Sequence, residues 1–229
     1  KYLGAQLGAA ELIRKGCTAC YDLVYEFPEP TMEGLTALGQ AYSDAGMRAV
    51  VAPLMATRSF YAAIPGLMEV LPEHVQTKLN KSQRISPGES SLAVMKKALH
   101  DWPFDRSRVK LGVAPHSPLH SSDEFLVGAQ QLAREFGVGI HTHLAESKVQ
   151  AVGGMQRYGK TLTAHLDDLG VVVQAQGGGL LDLLQRDFHR AEFRHQAQPG
   201  AIIGTELAVE YVAIRQFDGV RFDAALILG

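Results

Sequence analysis

Two short stretches place histidine and glutamate side chains where buried strands are predicted to end. The segment "LGVAPHSP" carries His116, and "VGIHTHLAES" carries His141, His143 and Glu146. Neutral imidazole nitrogens bind zinc, and a nearby glutamate can transfer a proton. These residue types indicate metal-assisted hydrolysis, although any one of the histidines taken alone is more often a core residue with satisfied hydrogen bonds.

The spacing of these residues indicates a shared cavity. Side chains alternate across a strand, so His141 and His143 point to the same side, with His141 one layer deeper. His116 precedes His143 by 27 residues, which is one β/α repeat. Adjacent parallel strands lie about 4.8 Å apart. We therefore expect His116 and His143 to line one pocket, with Glu146 in the loop above it.

The elements that must position these residues alternate between helix and strand as far as about residue 170. The apolar runs lack polar alternation, as expected for strands buried on both faces of a parallel sheet. Residues 57–86 form a longer polar segment broken by prolines. Helices are predicted at 5–15, 32–45, 90–101 and from Ser122 to a stop at Gly137, and strands at 18–25, 47–56, 109–114 and 138–143.

This order predicts an α/β fold. Because no GxGxxG follows any strand, a dinucleotide-binding sheet is disfavoured, and a partial (β/α)8 TIM-type barrel is the better interpretation. Its N-terminal strand would lie outside the chain, and missing later strands are compatible with this interpretation. Residues 1–170 are assigned to the barrel portion, and residues 171–229 form an unassigned C-terminal segment.

Composition excludes several classes of partner. The formal net charge is −2, which gives no reason to expect nucleic acid, and no apolar run of about 18 residues could span a membrane. Cys17 and Cys20 form a lone CxxC that follows a helix and leads into a strand. This order is unlike a thioredoxin motif, and we interpret both cysteines as reduced and structural. The expected location is the cytoplasm.

The two motifs resemble a known family. "GVAPHSP" followed by "HTHLAE" is similar to the amidohydrolase superfamily, specifically its deaminase and chlorohydrolase branch. That branch includes guanine deaminase, cytosine deaminase, adenosylhomocysteine deaminase and the triazine hydrolases. The segments "ELIRKGCTACYD", "DAGMRAVVAPLMATRSFYAAIPGL" and "MQRYGKTLTAHLDDLG" extend the resemblance over about residues 1–170.

The resemblance implies a role for each matched residue. His143 matches a metal ligand on the fifth barrel strand, and Glu146 matches the glutamate that binds the substrate ring and relays protons. His116 matches a histidine that contacts substrate. One divalent Zn²⁺ or Fe²⁺ is implied, which would activate water to expel ammonia or chloride from a small heterocyclic substrate.

The chain also departs from the family pattern. Two further ligands of the family come from an HxH motif that would lie upstream of Lys1, and no matching histidine or aspartate motif is found in 171–229. His189 and His195 are six residues apart, a poor ligand spacing, and are interpreted as surface residues; Asp218 is a turn residue. A truncated, catalytically incompetent remnant and a metal-free small-molecule-binding protein therefore stay open beside the hydrolase.

Other residues are weaker candidates. His120 could border the pocket, and Asp22 and Met55 could line its mouth. The loop at 58–60 could form a lid or an inter-subunit contact, which leaves a homo-oligomer open. His165 lies in a predicted helix, where a solvated face is the expected position.

Overall fold

The fold is known from a computed structural model that describes residues 1–82, 86–144 and 146–171. Helices and strands alternate along this part of the chain. The helices are α1 (Tyr2–Arg14), α2 (Met32–Asp44), α3 (Phe60–Ala63), α4 (Leu67–Val70), α5 (Glu73–Ser82), α6 (Gly88–His100), α7 (Asp123–Phe136), α8 (Lys148–Tyr158) and α9 (Leu162–Asp168), and the strands are β1 (Ala19–Tyr25), β2 (Arg48–Met55), β3 (Val109–Leu111) and β4 (Ala114–Pro115).

The strands form one parallel sheet in which β2 is central. β1 pairs with β2 along its whole length, from Ala19 opposite Arg48 to Tyr25 opposite Leu54. On its other side β2 pairs first with β3 and then with β4. Helices connect β1 to β2 and β2 to β3, and β4 continues the path of β3 after two residues. All strands therefore run the same way, and their carboxyl ends meet at one edge. The predicted α/β class and parallel sheet are confirmed.

The main core lies between the sheet and the helices that cover one of its faces. Leu35 of α2, Met95 and Leu99 of α6, and Val51 and Met55 of β2 are almost fully buried in it. Alternate residues of β2 therefore face the helices, as the geometry of a strand requires. This packing of helices on the sheet holds in place the strands whose carboxyl ends lead to the histidines.

Local signals set several helix boundaries. The Thr31 hydroxyl accepts a hydrogen bond from the Gly34 N–H at the start of α2, and Ser122 does the same for Phe125 at the start of α7. Gly137 ends α7 with a φ of 65°, a conformation that glycine adopts without steric cost. The predicted serine cap and glycine stop of α7 are both confirmed.

Three predicted segments differ from the structure. Residues 57–86 contain α3, α4 and α5 rather than loop alone. The predicted strand 109–114 divides into β3 and β4 around Gly112, where a side chain would meet the Tyr21 hydroxyl. The predicted strand 138–143 makes a single bridge, from Ile140 to Val113. Within the described residues no helix has the length and apolar character needed to cross a membrane.

Candidate active site at the carboxyl edge of the sheet

Four histidine rings lie side by side at the carboxyl edge of the sheet. The ring centroids of His116 and His143 are 5.2 Å apart, and those of His141 and His143 are 5.4 Å apart. His120 extends the group, with its ring centroid 4.3 Å from that of His116. The expected proximity of His116, His141 and His143 is therefore observed. We call these four residues the histidine cluster.

Backbone hydrogen bonds hold the cluster in register. The His116 N–H donates to the Met55 carbonyl at 2.8 Å, which joins the end of β4 to the end of β2. The His143 N–H donates to the His116 carbonyl, also at 2.8 Å, and His141 N–H donates to Val113. Residues 139–143 thus follow β4 as a parallel strand would, although only one bridge is formed. This pairing brings His116 and His143 to the same height.

Burial keeps three of the four imidazoles neutral. Burial, with a smaller contribution from the neighbouring His143, lowers the pKa of His116 and of His141 to about 4. The pKa of His120 also falls to about 4 through burial and through His116, although the Glu146 carboxylate acts in the opposite direction. At neutral pH these three imidazoles are uncharged, and each keeps one nitrogen lone pair for a proton or a metal ion.

His141 lies deepest in the cluster and contacts a residue that the sequence did not single out. His141 is 2% exposed, and its ring centroid is 5.3 Å from that of Tyr21 on β1. Burial raises the pKa of the Tyr21 hydroxyl well above its usual range. The expected deeper position of His141 matches the structure. The sequence does not single out Tyr21, because the other residues on its face of β1 are apolar or aromatic.

Glu146 is exposed, acts electrostatically on His120, and is held by a glutamine. The Gln150 amide donates to Glu146 Oε2 at 3.0 Å, and the Gln150 carbonyl oxygen accepts from the Glu146 N–H at 2.9 Å. Gln150 itself is buried in the first turn of α8, where Ser147 caps the helix. The pattern Ser-x-x-Gln is a helix-start signal that could have identified Gln150 from the sequence.

Comparison with known proteins identifies the family to which this chain belongs. The sequence profile of the amidohydrolase family matches residues 1–182. The chain belongs to the amidohydrolase family. It is 29% identical over 170 residues to a 5′-deoxyadenosine deaminase of Methanosarcina mazei, covering 74% of this chain and 32% of that protein. A 5-methylthioadenosine/S-adenosylhomocysteine deaminase of Syntrophomonas wolfei is 26% identical, with the same coverage.

Solved structures share the fold of this amidohydrolase chain. The atrazine chlorohydrolase of Arthrobacter aurescens TC1, in complex with zinc, superposes with a TM-score of 0.58 at 20% identity, over 73% of this chain and 34% of that one. An adenosine deaminase of Xanthomonas campestris with bound zinc gives a TM-score of 0.55 at 20% identity, over 74% and 31%. The amidohydrolase chain thus spans about a third of the relatives that it matches.

The described residues of this amidohydrolase chain offer side chains that can bind a metal ion, but not a complete set of ligands. Imidazole nitrogens in the neutral form are ligands that zinc accepts. Both ring nitrogens of His141 and the Nδ1 of His116 are buried without a hydrogen-bond partner in the described residues. No three metal-binding side chains in residues 1–82, 86–144 and 146–171 converge closely enough to hold an ion. A complete ligand set would need residues beyond those ranges.

Three of the weaker candidates lie in positions that differ from those predicted. Asp22 accepts a hydrogen bond from Tyr42 of α2 at 2.8 Å, so it faces the helix layer and not the mouth of the site. Met55 is buried in the core between sheet and helices. His165 is not solvated, because it stacks on Tyr158 with centroids 3.6 Å apart and bonds to Asp123.

The loop after β2 does lie beside the cluster. Arg58 donates to the Ser121 carbonyl at 2.7 Å, Ser59 caps α3, and the exposed Phe60 ring lies 5.7 Å from that of His120. A role as a lid stays a prediction. His189, His195 and Asp218 lie outside the described residues.

Proposed function

We propose that this chain contributes to the active site of a metal-dependent hydrolase that deaminates an aminated heterocycle of the purine or pyrimidine type. One observation carries the proposal. The ring centroids of His116 and His143 lie 5.2 Å apart at the carboxyl ends of neighbouring parallel segments, and the Glu146 carboxylate acts electrostatically on the adjacent His120. Parallel-strand enzymes place their reacting groups at this edge.

Family membership supports the reaction class. The deaminases of Methanosarcina mazei and Syntrophomonas wolfei act, by their names, on adenosine derivatives, and the fold is shared with an atrazine chlorohydrolase. Loss of ammonia and loss of chloride both follow attack of water on an aromatic ring carbon. Deamination is the preferred reaction because the relatives with the greater sequence identity are deaminases.

Each residue has a distinct role in this proposal. His143 would hold the metal ion, and zinc or iron bound there would supply an activated water. Glu146 would hydrogen-bond the substrate ring and move a proton to the leaving nitrogen, and Gln150 orients its carboxylate. His116 is uncharged and would contact the substrate.

The proposal also includes the fold, the binding partner and the cellular location of the protein. The parallel strands form part of a (β/α)8 barrel within residues 1–170, and residues 171–229 are left unassigned. The partner is a small heterocyclic molecule and neither nucleic acid nor membrane. The protein functions in the cytoplasm, where Cys17 and Cys20 stay reduced, and a homo-oligomer is compatible with the exposed Phe60.

Ammonia release tests the proposal. Protein supplied with zinc is incubated with 5′-deoxyadenosine, S-adenosylhomocysteine, cytosine and a chlorotriazine, and ammonia and chloride are measured. We expect ammonia from at least one adenosine derivative. Glu146→Gln should lower kcat by about a hundredfold or more, the range found for a proton-transfer group.

Glu135→Gln is the matched control, because Glu135 is an exposed carboxylate paired with Lys96 on the helix surface. It should behave as the wild type. The proposal is wrong if no compound releases ammonia, or if Glu146→Gln and Glu135→Gln are equally active. If chloride is released and ammonia is not, the reaction is dehalogenation and not the proposed deamination.

A further inference from the structure

His120 and Ser117 form a buried polar pair that the proposed mechanism does not use. The Ser117 hydroxyl lies 2.7 Å from His120 Nδ1, and the two residues are 0% and 9% exposed. Both belong to the turn that follows β4, where the His120 N–H also donates to the Ser117 carbonyl. These two contacts fix the position and rotation of the imidazole.

The other nitrogen of the ring is buried and unused. His120 Nε2 has no hydrogen-bond partner within the described residues. Leaving such a group unpaired is unfavourable, so native proteins rarely keep one without a reason. The ring lies between His116, at 4.3 Å between centroids, and Phe60, at 5.7 Å. It also senses the Glu146 carboxylate electrostatically, so it borders the same site.

The hydrogen bond between Ser117 and His120 allows Nε2 to be either a donor or an acceptor. A serine hydroxyl can donate to Nδ1 or accept from it, because it carries one proton and two lone pairs. When Ser117 donates, Nε2 carries the proton and is a donor; when Ser117 accepts, Nε2 is an acceptor. A single nitrogen in a fixed position can therefore bond either a ring nitrogen or an amine of a ligand.

We propose that His120 is a specificity-determining residue whose Nε2 hydrogen-bonds a ring nitrogen or exocyclic group of a planar nitrogen heterocycle, while the Phe60 ring covers the ligand edge. This inference rests on the proposed function. It adds a polar contact beside His116, whose ring centroid is 4.3 Å from that of His120. Phe60 suits the covering position because it is 61% exposed and its ring lies 5.7 Å from that of His120.

Two amide variants separate ligand binding from a structural role. In His120→Asn the amide can replace Nδ1 and keep the bond to Ser117, but nothing reaches the position of Nε2. In His120→Gln the longer amide reaches that position and loses the Ser117 bond. A purely structural histidine would tolerate asparagine better than glutamine, whereas a ligand-binding histidine should show the reverse order.

The probe is 5′-deoxyinosine, the deaminated product of 5′-deoxyadenosine, which is not turned over. Its Kd is measured by calorimetry on the purified protein, and unfolding of each variant is followed by thermal denaturation. We expect His120→Asn to weaken binding about tenfold or more and His120→Gln to recover most of it. The ¹⁵N resonance of His120 Nε2 should shift when the probe is added.

The outcomes separate the two proposals. If the wild type binds the probe and His120→Asn binds equally well, the specificity role is wrong, while the hydrolase proposal stands. The same holds if His120→Gln is the weaker of the two variants. If the wild type neither binds 5′-deoxyinosine nor releases ammonia from 5′-deoxyadenosine, the proposed function fails and the inference fails with it.

Discussion

The surroundings of the side chains in the histidine cluster determine their pKa values. Burial is the largest influence on His116, His120 and His141 and lowers the pKa of each to about 4. Protonating one ring would place a charge beside other imidazoles in a region poor in water, which is unfavourable. These three imidazoles therefore stay neutral, which suits contact with a neutral heterocycle.

Gln150 gives a first prediction at this scale. Its two hydrogen bonds hold both the backbone and the carboxylate of Glu146. Gln150→Ala should free the carboxylate and lower kcat about tenfold, while the free energy of unfolding falls by about 1 kcal/mol. Steady-state kinetics and urea denaturation measure the two effects.

Gln76→Ala is the control for Gln150→Ala, because Gln76 also donates one hydrogen bond, to the Leu71 carbonyl, on a helix without functional residues. It should leave kcat unchanged. Equal kcat values in both variants would show that Gln150 does not orient Glu146.

The two cysteines give a second prediction. Burial raises the pKa of the Cys20 thiol to about 11, whereas Cys17 is exposed. At pH 8 the thiolate fraction of Cys20 is then about a hundredfold below that of an ordinary cysteine. Iodoacetamide should modify Cys17 first in the native protein, as peptide mass spectrometry would show. Equal labelling of both cysteines, or an intramolecular disulfide, would contradict the structural interpretation.

At the scale of elements, the sequence locates strands better than it orients them. The apolar runs predict β1 and β2 within one or two residues of their observed bounds. They do not say which face of β1 turns inward, because both faces are apolar apart from Asp22. The sequence therefore predicts Asp22 at the mouth, whereas Asp22 accepts a hydrogen bond from Tyr42 and Tyr21 faces the cluster. The sequence places His165 in solvent because its partner Asp123 is 42 residues away along the chain.

Helix α2 offers a prediction about packing. Gly39 lies against the Phe104 and Trp102 rings, and a methyl group there would overlap them. Alanine favours a helix by about 1 kcal/mol over glycine, but overpacking costs about 1–3 kcal/mol. Gly39→Ala should therefore lower the free energy of unfolding despite the better helix propensity.

Gly8→Ala on α1 is the matched control, because nothing lies within 4 Å of an added methyl group there. It should raise stability by up to about 1 kcal/mol. Urea denaturation compares the two variants, and a stabilising Gly39→Ala would show that α2 does not pack against these rings as described.

At the scale of the whole molecule, the proximity of His116 and His143 follows from one β/α repeat, since neighbouring parallel strands end at one edge. The spacing of the strand ends does not identify Ser117 or Gln150, which form local hydrogen bonds to His120 and Glu146, three and four residues away. Of the two, only Gln150 has a signal in the sequence, the helix-start pattern Ser-x-x-Gln. The chain spans about a third of the relatives that it matches. We propose that His143 belongs to a metal centre.

Metal content is the most direct test of that claim. Protein incubated with zinc and then desalted is assayed by plasma mass spectrometry, in the wild type, His143→Ala and His165→Ala. His165 is a buried histidine with an aspartate partner outside the cluster, so it is the matched control. We expect about one zinc per chain in the wild type and in His165→Ala, and almost none in His143→Ala. Zinc retained by His143→Ala, or absent from the wild type, would contradict the account.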